Sequence, residues 1–114
     1  MAWRGAVDVE AAPAAPVGDG LGSRWDECEG WCGTWTRQGS SNTWAASWDN
    51  GATATLTITR DGNAVTVQRS DPNGLQATYV GTLSADGTAV SGTVTWCCDG
   101  FGTRSGEWSA TIHQ

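Results

Sequence analysis

The sequence predicts an all-β fold, an antiparallel up-and-down meander that closes into a small barrel of about seven or eight strands. Apolar and polar residues alternate with a period of two in successive runs, which is the pattern of half-buried strands. Turn signals rich in Gly, Asp and Asn separate these runs at intervals of about 10 to 15 residues, a spacing typical of barrels and sandwiches. No segment has a helical period, and closure of the meander would remove its exposed edges.

The most regular stretch is the hairpin predicted over residues 56–69. Its two alternating runs meet at Asp61-Gly62, where Gly tolerates the positive φ that a tight turn requires. We expect Leu56 and Ile58 to face inward, and the threonines that alternate with them to face outward. Because a slip of one residue would exchange the two faces, this hairpin fixes the register of its neighbours.

Further strands are predicted on both sides of this hairpin, and an eighth strand is considered near Trp25. The further runs fall at residues 33–37, 43–49, 75–83, 88–96 and 105–112. We expect residues 23–114 to form one barrel domain. Residues 1–22 are expected to form a flexible tail, because they are rich in Ala, Pro and Gly without apolar periodicity. The alternative for the tail is an arm that docks on a neighbouring copy of the chain, so a homo-oligomer is considered.

Charge excludes several classes of partner. Twelve acidic residues and six arginines give a net charge of −6, which argues against binding to nucleic acid or to an anionic membrane surface. No apolar run approaches the ~20 residues of a membrane-spanning helix, so no membrane insertion is expected. The N-terminus also lacks the basic and then apolar layout of a secretory signal, so any signal was removed or never existed.

The four cysteines favour disulfide bonds and an oxidising compartment. They are Cys28, Cys32, Cys97 and Cys98. A bond between adjacent cysteines closes a small ring across one peptide bond, so we expect the Cys28/Cys32 pair to bond with the Cys97/Cys98 pair. Free or mixed thiols and a four-thiolate zinc site are the alternatives, although a Cys-Cys dipeptide chelates zinc badly. We predict no metal site and no cofactor.

Five of the eight tryptophans fall on the predicted inner face of the barrel. They are Trp35, Trp44, Trp48, Trp96 and Trp108. Such rings either fill the core or line a cavity, where indoles stack on sugars and flat heterocycles. The predicted ligand-binding residues are Trp44, Trp48 and Trp108, with Tyr79 as a polar neighbour. Trp25 and Trp31 are expected to lie in a loop and to act as a lid or plug.

Catalytic signals are weak. The single histidine, His113, is next to the C-terminal residue, which argues against a Ser/His/Asp or Cys/His mechanism. Most aspartates lie in Gly-containing turns, where the side chain caps the turn. Of the acids near the tryptophan face, Glu107 is predicted to point outward. The threonines that line the outer face are those expected of solvated strands. We therefore identify no catalytic residues.

Gly33-Thr34-Trp35 on an early strand, followed by an antiparallel meander, resembles the opening of calycin-type barrels such as lipocalins and avidins. The resemblance implies that Trp35 closes the barrel floor and that Arg104, just before the last strand, packs over it. More loosely, residues 44–51, 79–83 and 90–93 resemble small secreted bacterial β proteins.

These observations lead to two hypotheses for the function. The first is a secreted or periplasmic binding module that recognises a sugar or a small hydrophobic ligand through its tryptophans. The alternative is a structural or interaction protein, such as an assembly subunit or an inhibitor, in which the tryptophans form the core. In the first case the partner is a small molecule or a glycan.

Overall fold

The protein is an eight-stranded antiparallel barrel, described by a computed structural model over residues 19–114. Each strand pairs with the next along the chain, and the last strand pairs with the first. This confirms the predicted fold class and closure. The strands are β1 Arg24–Cys28, β2 Cys32–Arg37, β3 Thr43–Trp48, β4 Thr53–Asp61, β5 Ala64–Ser70, β6 Gln76–Leu83, β7 Ala89–Cys97 and β8 Arg104–His113.

The register agrees with the hairpin predicted at the centre of the sequence. Asp61 pairs with Ala64 across the turn, and Ile58 pairs with Val67. Leu56 and Ile58 are fully buried, as expected, while the alternating threonines of the same strand are exposed. The inward face that this register defines continues around the barrel and carries the large aromatic side chains.

The eighth strand is β1, and it corrects the position of Trp25. This residue is not in a loop; it lies on β1, paired with Trp35 on one side and Ile112 on the other, and it is completely buried. Its indole Nε1 donates a hydrogen bond of 2.7 Å to the carbonyl of Leu21. Trp25 therefore belongs to the core, and β1 supplies the pairing that closes the barrel.

Residues 19–22, which we assigned to the tail, pack against one end of the barrel. Leu21 is buried, and the Asp19 carboxylate accepts hydrogen bonds of 3.2 and 2.6 Å from Arg37. The apolar Leu21 side chain covers the barrel end that the ion pair borders. The domain therefore begins before residue 23. The rest of the predicted tail, residues 1–18, lies outside the described residues.

The barrel interior is filled by aromatic rings. Three indoles are nearly parallel: the Trp25–Trp35, Trp35–Trp108 and Trp25–Trp108 centroids are 5.6, 5.7 and 6.3 Å apart. Tyr79 meets two of them edge to face, at 5.2 Å from Trp35 and 5.3 Å from Trp108. These distances are those of favourable aromatic pairs. A ligand cavity of the hollow-barrel kind would require these rings to be absent or displaced.

Glycine on the facing strands makes room for the indoles. A Cβ atom on Gly81 would lie 2.8 Å from Cζ2 of Trp108 and 2.8 Å from the carbonyl oxygen of Ser91. Such distances leave no space for a methyl group without moving the ring or the sheet. The small inward residues of β6 and the large ring on β8 are therefore matched in size.

Gly81→Ala should lower the free energy of unfolding by about 1–3 kcal/mol, because the added methyl group overpacks the wall beside Trp108. Chemical denaturation measures the change. Thr82→Ala, on the exposed face of the same strand, is the matched control and should change stability by less than about 0.5 kcal/mol. Equal effects of the two substitutions would show that the tight contact at Gly81 is easily relieved.

Candidate ligand-binding site

Four loops surround one end of the barrel, and we call this end the mouth. The loops are residues 29–31, 49–52, 71–75 and 98–103. They enclose a cavity of about 490 Å³. Aromatic side chains and charged or amide side chains share its lining, chiefly Trp31, Trp48, Trp96, Arg69, Arg104, Glu29 and Asn50. This combination is typical of small-ligand sites.

Both disulfide bonds lie at the mouth, but their pairing differs from the predicted one. Cys28 bonds with Cys32, and Cys97 bonds with Cys98. The topology explains the correction: β8 pairs with both β1 and β7, so Cys28 and Cys97 lie on strands separated by two strand spacings, about 10 Å. That distance is too long for a disulfide. By contrast, Cys28 and Cys32 face each other across the β1–β2 hairpin, with Cα atoms 4.0 Å apart.

Arg69 is the centre of a buried polar network below the mouth. Its guanidinium donates two hydrogen bonds to the Asp71 carboxylate, at 2.7 and 2.8 Å. Its Nη1 donates to Glu29 Oε1 and to the Tyr79 hydroxyl, both at 2.9 Å. The same guanidinium lies 3.9 Å from the ring centroid of Trp48, which is a cation–π contact. A single cation thus fixes two carboxylates, a phenol and an indole.

Tyr79 and Glu29 are linked directly as well as through this arginine. The Tyr79 hydroxyl donates a 2.8 Å hydrogen bond to Glu29 Oε1. Burial raises the pKa of the Glu29 carboxyl, although the hydrogen bonds from Tyr79 and Arg69 act in the opposite direction. The second oxygen, Glu29 Oε2, is buried and has no hydrogen-bond partner among the described residues. Glu29 therefore has unused hydrogen-bonding capacity in the lining of the mouth.

Glu27, on the inward face of β1, lies two residues before Glu29 and is more deeply buried. It is fully shielded from solvent, and its Oε1 accepts a 2.8 Å hydrogen bond from Trp48 Nε1. Burial, together with the nearby Glu29 charge, raises the pKa of the Glu27 carboxyl to about 8. Glu27 is therefore mostly protonated at neutral pH, which reduces the cost of keeping a carboxyl group in the core.

The rim of the mouth carries the exposed aromatic rings. Trp31, within the loop closed by Cys28 and Cys32, is 59% exposed, and its carbonyl oxygen accepts a 2.9 Å hydrogen bond from the Glu29 amide. Trp96 is partly buried and packs against the core. Arg104 donates hydrogen bonds of 3.2 and 2.9 Å to the Asp99 carboxylate. The short disulfide loop holds an exposed indole over the cavity.

The structure brings only some of the predicted site residues to this end. Trp48 and Tyr79 meet through Arg69 below the mouth. Trp108 is stacked in the core, and Trp44 is fully buried beneath the Arg37 guanidinium, 5.3 Å from its ring centroid. Arg37 also bonds Asp19, so Trp44 lies near the end of the barrel opposite the mouth.

The arginine expected over Trp35 is not found there. Among the described residues, the guanidinium groups that lie over indole rings belong to Arg37 and Arg69. Arg104 instead bonds Asp99 at the mouth. The protein is thus similar to calycin barrels in being a closed antiparallel barrel. It lacks the contact between Arg104 and Trp35 that the resemblance implies.

Sequence reasoning missed Glu27, Glu29 and Arg69. A signal was present for the two glutamates, because Trp25, Glu27 and Glu29 continue one period-2 pattern and so point to the same face. Arg69 likewise follows Val65 and Val67 on the inward face of β5. Charged residues in inward positions of a small barrel are costly unless they are paired, so this pattern indicates a buried network.

A larger groove, of about 870 Å³, lies beside the outer faces of β1, β7 and β8. Short side chains such as Ser91, Ser109 and Thr111 line it, and no aromatic side chain among the described residues does. It offers no ring for stacking. The mouth is therefore the better candidate site.

The chain matches no known protein-family model, and no curated protein matches it. The class of protein is therefore defined by the structure alone: a small, disulfide-bonded, antiparallel β-barrel with a filled aromatic core and a polar, aromatic mouth.

The two disulfides favour an oxidising, extracellular environment. Within residues 19–114, no helix is long and apolar enough to cross a membrane, and no group of three or more His, Cys, Asp or Glu side chains is arranged to hold a metal ion.

Proposed function

We propose that the protein is a secreted or periplasmic binding module and that its ligand, a sugar or another small ring-shaped molecule, binds at the mouth. The observation that carries this proposal is Trp31. A large indole 59% exposed to solvent is held over a cavity whose walls include Trp48 and Trp96. Rings in this arrangement offer faces and edges on which a flat or cyclic ligand can stack.

Preorganisation supports the same proposal. The Cys28–Cys32 bond closes the loop that carries Trp31, and the Cys97–Cys98 bond directly follows Trp96. Arg69 fixes the floor by bonding Asp71, Glu29 and Tyr79. Rigid loops and a rigid floor lose little conformational entropy when a ligand binds, so more of the contact energy appears as affinity.

Because aromatic rings fill the barrel interior, we place the proposed site at the end of the barrel and not along its axis. Trp48 would contribute as part of the cavity wall, and Tyr79 would act by holding Arg69 and Glu29 in place. Trp44 and Trp108 would act only by supporting the packed core, because neither lines the cavity of the mouth.

Trp31→Ala should weaken ligand binding by about 3- to 10-fold, because stacking on an aromatic ring contributes about 0.5–1.5 kcal/mol beyond the area that it buries. Folding stability should change by less than about 0.5 kcal/mol, since the side chain is mostly exposed. Quenching of tryptophan fluorescence by a panel of glycans and aromatic compounds identifies a ligand, and calorimetric titration measures the loss.

Phe101→Ala is the matched control. Phe101 is also an exposed aromatic residue, at 81%, but it does not line the cavity. This substitution should leave ligand binding within about two-fold of the unsubstituted chain, an allowance of about 0.4 kcal/mol. Equal losses in both variants, or no ligand in the whole panel, would contradict the proposal.

Phe101 also favours a second candidate function, an interaction protein. Two exposed aromatic rings, Trp31 and Phe101, lie on loops at the same end, and such residues are common at the centres of protein interfaces. Analytical ultracentrifugation separates the candidates. Association that both substitutions abolish, without binding of any small ligand, would support the interaction protein.

A further inference from the structure

We propose that the ligand of the mouth is a neutral saccharide, held by its hydroxyl groups as well as by ring stacking. This inference rests on the proposed function and narrows its ligand class. Three observations at the mouth support it: the pairing of its charges, the hydrogen-bonding groups left free, and the mixture of aromatic and polar lining.

The charged side chains that line the cavity are already paired. Arg69 makes two hydrogen bonds to Asp71, and Arg104 makes two to Asp99. An anionic ligand that formed a two-hydrogen-bond pair with either guanidinium in the same way would have to displace its carboxylate. A cationic ligand would meet Glu29, whose Oε1 already accepts hydrogen bonds from Arg69 and Tyr79. The site is therefore best matched by a ligand without net charge.

Several polar groups of the lining retain free hydrogen-bonding capacity. Asn50 Oδ1 accepts the amide of Ala52 at 3.0 Å, whereas its Nδ2 makes no hydrogen bond to residues 19–114. The Nε of Arg104 also makes no hydrogen bond to residues 19–114, since this side chain donates to Asp99 and Gly102 through Nη1 and Nη2. Glu29 Oε2 is buried without a partner in this part of the chain.

A hydroxyl group suits all three. It accepts from the Asn50 amide and from the Arg104 guanidinium. It also donates to Glu29 Oε2 when that carboxyl is ionised, and accepts from it when protonated. Burial raises the pKa of Glu29, so a ligand group that can form a hydrogen bond with either protonation state of this carboxyl is favoured.

A hydrocarbon ligand fits less well. It would stack on Trp31 and Trp96, but it would also remove water from Asn50 and Arg104 without replacing the lost hydrogen bonds. A saccharide ring has apolar C–H faces that pack on indoles and hydroxyl edges that reach the polar groups. It therefore satisfies both parts of the lining.

The test is a titration of the full chain with three kinds of probe. Neutral probes are the disaccharides cellobiose, maltose, N,N′-diacetylchitobiose and mannobiose; charged probes are glucuronate and glucosamine; the hydrophobic probe is naphthalene, which has no hydroxyl group. Saturation-transfer NMR detects binding, and titration gives the affinity. We expect a neutral disaccharide to bind more tightly than either charged sugar, through a site that Trp31→Ala removes.

Two substitutions address the hydroxyl contacts. Asn50→Asp keeps the oxygen that accepts the Ala52 amide and removes the Nδ2 donor, and Arg104→Met keeps the apolar stem and removes the guanidinium. Each should weaken binding of the neutral disaccharide about ten-fold, the effect of losing about one hydrogen bond. Binding of naphthalene should stay unchanged in both. Thr93→Ala, on the exposed face of β7, is the control for both ligands.

The outcomes separate this inference from the proposed function. If only naphthalene binds and Trp31→Ala abolishes it, the mouth binds ligands but the saccharide inference is wrong. Tighter binding of a charged sugar than of any neutral disaccharide also overturns the inference. The same holds if a neutral disaccharide binds with an affinity that neither Asn50→Asp nor Arg104→Met changes. If no probe binds, both proposals fail.

Discussion

Arg69→Met is expected to lower the free energy of unfolding by about 3–5 kcal/mol, the effect of removing one partner from a buried ion pair. Asp71 and Glu29 would lose the hydrogen bonds that Arg69 donates, and their side chains are only 4% and 5% exposed. The Trp48 ring would also lose its cation–π contact. Urea unfolding monitored by circular dichroism measures the change.

Arg24→Met is the matched control. Arg24 faces Asp26 at 3.8 Å, but the side chains are 51% and 53% exposed, so water already screens the pair. Its removal should change stability by less than about 1 kcal/mol.

A triple variant shows whether Arg69→Met destabilises the protein by removing hydrogen bonds or by leaving buried carboxylates without their cation. Arg69→Met combined with Asp71→Asn and Glu29→Gln leaves neither of these two carboxylates buried without its cation. It should recover part of the stability that Arg69→Met loses. If the triple variant is less stable than Arg69→Met alone, the hydrogen bonds of the network, rather than unpaired charge, dominate the effect.

Glu27→Gln is expected to stabilise the protein at alkaline pH and to leave it nearly unchanged at acidic pH. The pKa of Glu27 is about 8 in the folded protein, against 4.5 for an unperturbed glutamate. The folded state therefore binds the proton more tightly. Between these two values the unfolded state loses its proton first, so stability falls as the pH rises.

The expected size of this effect is large. A tenfold difference in proton affinity between the folded and unfolded states corresponds to about 1.4 kcal/mol. Glu27 should therefore cost about 5 kcal/mol of folding stability once the pH exceeds its folded-state pKa, and nothing below its unfolded-state pKa. Glutamine keeps an oxygen that accepts the Trp48 indole N–H and does not ionise. The difference in unfolding free energy between the variant and the unsubstituted chain should grow across this pH window.

Unfolding curves collected from about pH 4.5 to about pH 8.5 span both pKa values and provide the measurement. Glu107→Gln, on the exposed face of β8, is the control, and its stability should follow that of the unsubstituted chain at every pH. A constant difference between Glu27→Gln and the unsubstituted chain would show that Glu27 titrates normally and that its pocket admits water. The acids with lowered pKa, Asp19, Asp86 and Asp99, affect stability only at lower pH.

Much of the fold could be predicted because the barrel follows local rules. Alternation of apolar and polar residues identifies the inward face of a strand without knowledge of its neighbours. Asp61-Gly62 marks a turn, and the turn fixes the pairing of Ile58 with Val67. The same alternation is present in the short run from Arg24 to Cys28 and supports the eighth strand considered near Trp25.

The disulfide pairing shows why the rest was not predictable. Sequence reasoning disfavoured the bond between Cys97 and Cys98 because of its small ring. It could not include the order of strands around the barrel, which separates β1 from β7 by β8. Pairing between distant cysteines depends on that order, and no local pattern encodes it.

The sequence by itself determined the class of fold, the alternation that fills the barrel with tryptophan, and the register set by the central hairpin. The tertiary structure alone decided that the barrel is solid, that both disulfides lie at one end, and that Trp31 stands above a network built on Arg69 and Glu29. The physical reason is the separation along the chain over which each effect acts. Strand periodicity acts between residues two apart, whereas Arg69 and Glu29 are 40 residues apart and meet only because closure of the barrel brings β5 and the loop after β1 together at one end.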